Sequence, residues 1–354
     1  MNHKNALLFV ARCLTITTNE KNKNWVENLL KSNLVCWDKV VIQSTTHYVL
    51  PALYNNLKKN NLLHFLPKEL DVFMTHLTNI NRIRNLEILK QAKELNRLLL
   101  KNGITPIFLK GTAFILQKLY DDISERMISD IDFIVPKKDA LKAYIVLVNN
   151  GYYKRGKHSK VILSDFRHLP RLIKKSSIAA VEIHHELIIK NHRKEFNYNS
   201  VSKDFITTLN NLNFLSYKNQ ISLTIIATQI NNDESIYLKK IELRSAYDIY
   251  LLSKKTDTLA AITHFKKLYR PLNDYLAISQ YVLNDETISA KSTAKNIRSF
   301  NKYYFETKNT NIRKKILLLK LCFIDAKLRK TLLKRIARKS WRTQKLIELG
   351  LKRK

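Results

Sequence analysis

The chain has 354 residues, 45% of them hydrophobic, and its 63 Lys and Arg against 29 Asp and Glu leave a formal net charge of +34. That is enough apolar material for a sizeable core and enough length for more than one small domain, while only 5 Gly and 6 Pro argue against a loop-rich sandwich or a low-complexity chain. No G-x-G-x-x-G, G-x-x-x-x-G-K-[ST], H-E-x-x-H or G-x-S-x-G occurs, so a Rossmann fingerprint, a P-loop and two common hydrolase signatures are absent.

The first residues are positive and then apolar, but Arg12 cuts the run and no small-residue cleavage site follows, so a helix is expected there rather than a signal peptide. Residues 1–100 read as a helical N-terminal region. Over residues 85–101 the apolar positions Leu86, Ile88, Leu89, Ala92, Leu95, Leu98, Leu99 and Leu100 recur at helical spacing, and Gly103 follows where a helix should stop. The pattern then changes. Residues 104–109 and 131–135 predict strands, 113–120 and 139–149 helices, and 169–173 with 178–183 a hairpin across Lys174-Lys175-Ser176-Ser177. Residues 101–190 are therefore expected to form a compact α/β core, 191–295 a second helical region, and 296–354 a basic helical tail. Between Arg313 and Lys354 stand sixteen Lys or Arg and two acids, Asp325 and Glu348. The apolar run 316–324 is broken by Lys320 and is too short to span a bilayer. Three scattered cysteines (Cys13, Cys36 and Cys322) lack metal-ligand spacing and fit a reduced, cytoplasmic protein.

The sharpest local signal is Ser129-Asp130-Ile131-Asp132-Phe133-Ile134-Val135. Alternate side chains of a strand share a face, which puts Asp130 and Asp132 together, ~7 Å apart along the backbone, and able to converge on hard cations. A solvated turn is the plain alternative. Lys110-Gly111-Thr112 lies between a strand and a helix, where a glycine, a hydroxyl and free N–H groups suit a phosphate, although a Thr N-cap explains the same residues. Glu182, within Val181-Glu182-Ile183-His184-His185, is a carboxylate in an apolar strand, suited to be a metal ligand, a base, or one half of a salt bridge. His184 and His185 fall on opposite faces of that strand and cannot easily hold one ion. Arg244 and Asp248, four apart, suit a helical ion pair.

The order Leu-Lys-Gly-Thr, Arg126, Ser-Asp-Ile-Asp-Phe-Ile-Val and Val-Glu-Ile-His-His resembles the polymerase-β-like nucleotidyltransferase superfamily, and within it a poorly characterised bacterial branch with LKG-type and ElHw-type motifs. The resemblance extends over most of residues 30–255. It implies an α+β fold, a small mixed β-sheet nucleotidyltransferase domain flanked by N- and C-terminal helical regions. It implies that Asp130, Asp132 and Glu182 are catalytic and bind Mg2+ (or Mn2+), and that Lys110, Gly111, Thr112 and Arg126 bind the nucleotide. The implied reaction moves an NMP from an NTP to an acceptor hydroxyl on RNA, protein or a small molecule, with release of pyrophosphate. Thr112 stands where serine is usual, His185 where an aromatic is common, and Gln229 near an expected histidine. The positive charge tips the acceptor toward RNA. It also leaves two other readings: a non-catalytic nucleic-acid-binding protein that retains the fold, and a tail lying on an anionic membrane.

Overall fold

A computed structural model of the chain describes residues 1–154, 166–231, 241–291 and 294–306. Residues Met1–Ser299 form one compact unit and Phe300–Lys354 a second. The basic tail beyond Glu306, with its nucleic-acid and membrane readings, lies outside the described residues. Four helices lead in: α1 (His3–Cys13), α2 (Glu20–Lys31), α3 (Trp37–Thr46) and α4 (Leu50–Lys59), followed by the 34-residue α5 (Lys68–Lys101). The α/β part continues as β1 (Ile107–Phe108), α6 (Lys110–Leu116), β2 (Asp130–Ile134), α7 (Lys137–Asn149), β3 (Tyr153–Lys154), β4 (Leu172–Ile173) and β5 (Ala180–His184). After these come α8 (Tyr198–Val201), β6 (Phe205–Thr207), β7 (Asn213–Leu215), α9 (Tyr217–Gln229), α10 (Leu243–Ser253), α11 (Tyr269–Leu283) and α12 (Ala294–Asn301). No described helix is long and apolar enough to cross a membrane.

Helix α5 ends as its sequence predicts. Gly103 takes φ 68° and donates to Leu100 O, while Ile104 N–H reaches back to Leu99 O. These two bonds make a Schellman stop, which needs a left-handed residue at the position glycine fills. The helix begins far earlier than its apolar period suggests, because buried Thr78, Asn81 and Asn85 interrupt that period before Leu86. The two asparagines hold the loop before β2: Asn81 donates to Ser124 O (2.6 Å), and Asn85 to Ile123 O (2.6 Å) and Arg126 O (2.8 Å).

The strands form one mixed sheet in the order β3-β4-β5-β2-β1-β7-β6. Its centre is the parallel pair β2·β5, with Asp130 opposite Ala180, Asp132 opposite Glu182, and Ile134 opposite His184. β1 runs antiparallel to β2 and parallel to β7. The expected hairpin forms as β4·β5, with Leu172 opposite Val181 and a turn closed by Ser177 N–H to Lys174 O. Two strands fall outside the expected core: β6 and β7 lie in the region read from sequence as helical. They are three residues each, too short to show a period of two, and are recruited because β7 pairs with the open edge of β1.

One face of the sheet is apolar. Phe108, Ile131, Phe133, Val181, Ile183 and Phe214 pack with Ile88, Ala92, Leu95 and Leu99 of α5 and Ala140, Ala143 and Leu147 of α7, all buried in a single cluster. Alternation along β2 and β5 then obliges Asp130, Asp132, Glu182 and His184 to share the opposite face.

Candidate active site

The acidic face begins with the register of β2 and β5, since directly paired residues on neighbouring strands stand ~5 Å apart. Asp132 and Glu182 are such a pair. His184, two residues beyond Glu182 on the same face, sets Nε2 2.8 Å from Asp132 Oδ1 and 3.7 Å from Glu182 Oε2. One ligand atom from each of Asp132, Glu182 and His184 lies within 4.8 Å of the others, close enough to surround a single ion.

Two cationic groups meet the carboxylates. Lys110 donates from Nζ to Asp132 Oδ1 at 2.7 Å. Arg171 of the loop before β4 pairs with Asp130 and brings Nε to 3.5 Å from Glu182 Oε1. Burial alone would raise the Asp132 carboxyl, but Lys110 and His184 outweigh it and hold it well below the usual carboxylate range. Glu182 follows the same pattern, with burial overcome chiefly by His184. Asp130 goes the other way: burial raises it despite Arg171.

The structure thus gathers Asp130, Asp132, Glu182 and Lys110 at one face, and the set able to hold one ion contains Asp132, Glu182 and His184. The physical reason is register. Asp130 stands opposite Ala180 at the start of β2 and turns to Arg171, whereas His184 is on the strand beside Asp132. The i, i+2 spacing of Glu182 and His184 in a strand was the signal for this neighbour.

The other expected nucleotide-binding residues are present but otherwise engaged. Thr112 is fully buried, and its hydroxyl donates to Asp130 O at 2.9 Å, so it fastens β2. A Cβ on Gly111 would lie 3.1 Å from Ile128 Cγ1 and 3.6 Å from Arg126 Cζ, so glycine lets the loop before β2 close over α6. Arg126 is buried and forks onto Asp248, with Nε to Oδ1 and Nη2 to Oδ2 both at 2.8 Å, and its Nη1 donates to Met127 O. Tyr120 also donates to Asp248. The expected Arg244–Asp248 pair does not form, because Arg126 holds both oxygens of Asp248; Arg244 instead reaches Glu242 at 2.9 Å. Lys110 is the exception among these residues. It has φ 52°, a left-handed conformation unusual for a side chain of its length, and it turns its amine onto the acids.

A cavity of about 220 Å3 adjoins this face, lined by Lys110, Thr224, Thr228, Glu242, Arg244 and Ser245 among others. A second, of about 480 Å3, lies on the other side of Arg244 and Glu242 and is lined by Tyr48, Arg84 and Ser129. The Arg244 guanidinium stands 4.9 Å from the Tyr48 ring centroid.

A helix-flanked mixed sheet with carboxylates paired across two central parallel strands defines a nucleotidyltransferase-like α+β protein. Sequence comparison agrees: residues 33–277 match the family described as uncharacterised nucleotidyltransferase, and the chain belongs to that family. No curated protein matches the chain.

Proposed function

We propose that this protein is a metal-dependent nucleotidyltransferase of the polymerase-β-like kind, which moves an NMP from an NTP to an acceptor hydroxyl. In that reaction the acceptor oxygen bonds the α-phosphorus, the bond from that phosphorus to the bridging oxygen breaks, pyrophosphate leaves, and the hydroxyl proton passes to a base. The observation that carries the reading is the convergence of Asp130, Asp132 and Glu182 on one sheet face with Lys110, Arg171 and His184 against them.

The donor chemistry fits a divalent cation: two carboxylates and an imidazole, with ligand atoms close enough to share one ion, suit Mn2+ better than Mg2+, which favours oxygen ligands alone. Asp132, Glu182 and His184 would hold it. When bound, such a cation neutralises charge on the triphosphate and lowers the pKa of the acceptor hydroxyl. Lys110 and Arg171 carry positive charge to the same place and orient the β and γ phosphates. Asp130 lies outside the ion-binding set with its carboxyl raised, which suits a group that accepts the hydroxyl proton. Thr112, Gly111 and Arg126 position these groups by fastening β2 and its preceding loop. The net charge of +34 favours an anionic acceptor, and RNA is the class proposed.

The rival reading, a non-catalytic nucleic-acid-binding protein with this fold, is favoured by one observation: each of the three carboxylates already has a cationic partner. Incubation with labelled NTPs, Mg2+ or Mn2+ and RNA separates the two. Nucleotide transfer by the wild type, reduced about 100-fold or more in Asp130→Ala/Asp132→Ala, is the expected result, on the scale at which disrupted metal sites lose function. Equal labelling with both proteins, or salt-sensitive RNA binding without turnover, overturns the enzymatic reading.

A further inference from the structure

The cavity of about 480 Å3 is built beside a tyrosine in an unusual backbone state. Its walls include Tyr48, Arg84, Met127, Ser129, Glu242 and Arg244. Helix α3 ends in the same hydrogen-bonded stop as α5: Tyr48 N–H donates to Thr45 O at 3.1 Å, and Val49 N–H to Ser44 O at 2.8 Å. The residue at that stop must be left-handed, and Tyr48 has φ 56°. Glycine fills the equivalent position after α5, and Asn33, Asn61, Asn211 and Asn284 fill other left-handed positions of the chain. A tyrosine there costs free energy that glycine or asparagine would not, because its Cβ crowds the backbone. Burial does not offset that cost, since Tyr48 is 48% exposed. A strained conformation kept at an open cavity points to a role in binding.

The groups around the ring say what would bind. Arg244 stands over the ring, with its guanidinium 4.9 Å from the centroid. Half-buried Arg84 donates from Nε to Ile128 O at 3.3 Å, and its two terminal nitrogens make no hydrogen bond or ion pair among the described residues. Glu242 is the single carboxylate on these walls, and it already accepts from Arg244 at 2.9 Å and from Ser245 at 2.6 Å. The walls are also fixed in place. Asn81 donates to Ser124 O and Arg126 O, so the loop carrying Met127 and Ser129 is tied to α5. A flat aromatic surface beside an uncommitted guanidinium suits a ligand with a planar ring and a phosphate, whereas an inorganic anion would make no use of the ring.

We infer that this cavity binds one nucleotide unit, with its base stacked against Tyr48 and its phosphate on Arg84. A free nucleotide and the end of a single-stranded RNA offer that same chemistry. Ser129, on the cavity wall, immediately precedes Asp130, which brings the occupant to the start of β2 without engaging the acidic face. Binding here does not depend on nucleotidyl transfer; only a role for the occupant as the acceptor rests on that reading.

The test is calorimetric titration of the full chain at constant ionic strength with EDTA present, using 5′-AMP, ribose 5-phosphate and hexa-adenylate RNA in separate arms. The expected result is saturable binding of AMP, at least tenfold tighter than that of ribose 5-phosphate, which carries the phosphate and sugar without the base. Tyr48→Asn should weaken AMP about tenfold and leave ribose 5-phosphate unchanged. Asparagine suits the left-handed position, so the variant should melt no lower than the wild type, and the substitution leaves the bulk charge of the chain as it was. Arg84→Gln should weaken AMP and ribose 5-phosphate alike. Tighter, Tyr48-dependent binding of the RNA assigns the end of a strand as the ligand, and equal or weaker binding assigns a free nucleotide. Equal AMP affinity in the wild type and Tyr48→Asn, or no preference for AMP over ribose 5-phosphate, overturns the inference. Absence of nucleotidyl transfer with these affinities intact would count against the transfer reading alone.

Discussion

The same two strands carry two polar environments of opposite character. On the acidic face, carboxylates and cations are matched: Asp132 with Lys110 and His184, and Asp130 and Glu182 with Arg171. Past the strand ends, His185 is buried with no partner among four cationic neighbours. Adjacent histidines thus have unlike fates, since one residue along a strand turns a side chain to the other face. The first environment is complete enough to hold itself together, and the second lacks a partner.

The largest expected effect concerns the support of the acidic face. Asp248→Ala strands the Arg126 guanidinium inside the protein, and a loss of about 3–5 kcal/mol is expected by denaturant unfolding, as for other broken buried pairs. The double variant Arg126→Met/Asp248→Leu should recover much of that stability. Full activity in the recovered protein would show that Arg126 only positions the loop, whereas absence of transfer would give it a part in substrate binding.

The two histidines provide the next contrast. His184→Leu removes a hydrogen-bonding partner from buried Asp132 and should cost about 1–3 kcal/mol. His185→Leu removes no hydrogen bond made by its ring and should leave the stability of the protein within about 1 kcal/mol of wild type. A similar cost for both, measured by thermal unfolding, would erase the distinction.

The smallest effect is a difference in pH window. Burial and nearby cations push the His185 imidazole down to about 4 from an ordinary 6.5. A lowered folded-state value means that the unfolded chain binds the proton more readily, so this contribution is complete above pH 6.5 and is lost as pH falls toward 4. Asp132 and Glu182, both lowered, have their contributions above the ordinary carboxylate range and lose them only as pH falls through lower values. Asp130, raised by burial, acts in the opposite sense: its contribution is present at low pH and is lost as pH rises through its folded value. Unfolding free energies measured between pH 7 and 4 should therefore decline less steeply in His185→Leu than in the wild type. An unchanged slope would contradict the burial of that ring.

Much of this could be foreseen from local pattern. The end of α5 at Gly103, strand β2, helix α7 and the β4·β5 hairpin all follow from short-range periodicity and turn chemistry, and the common face of Asp130 and Asp132 follows from strand alternation. The partners of those acids do not. Arg171 is close to Asp130 only because β4 lies beside β5, and Lys110 reaches Asp132 only because β1 lies beside β2. Arg126 and Asp248 are 122 residues apart and meet through helix packing. Thr112 shows the limit in the other direction. Its position before a helix suited a phosphate, yet its hydroxyl was already taken by the Asp130 carbonyl.

Sequence alone determined which chemistries were open: a strongly basic α+β chain with a pair of strand acids and a third acid fifty residues on, and with none of the common nucleotide-binding glycine loops. Tertiary structure decided which groups share a site, that His184 joins the acids, and that His185 lies unpartnered beyond them. The reason is physical. Alternation and helical period act over a few residues and can be read along the chain, while register, strand order and charge pairing depend on contacts between segments that no local pattern encodes.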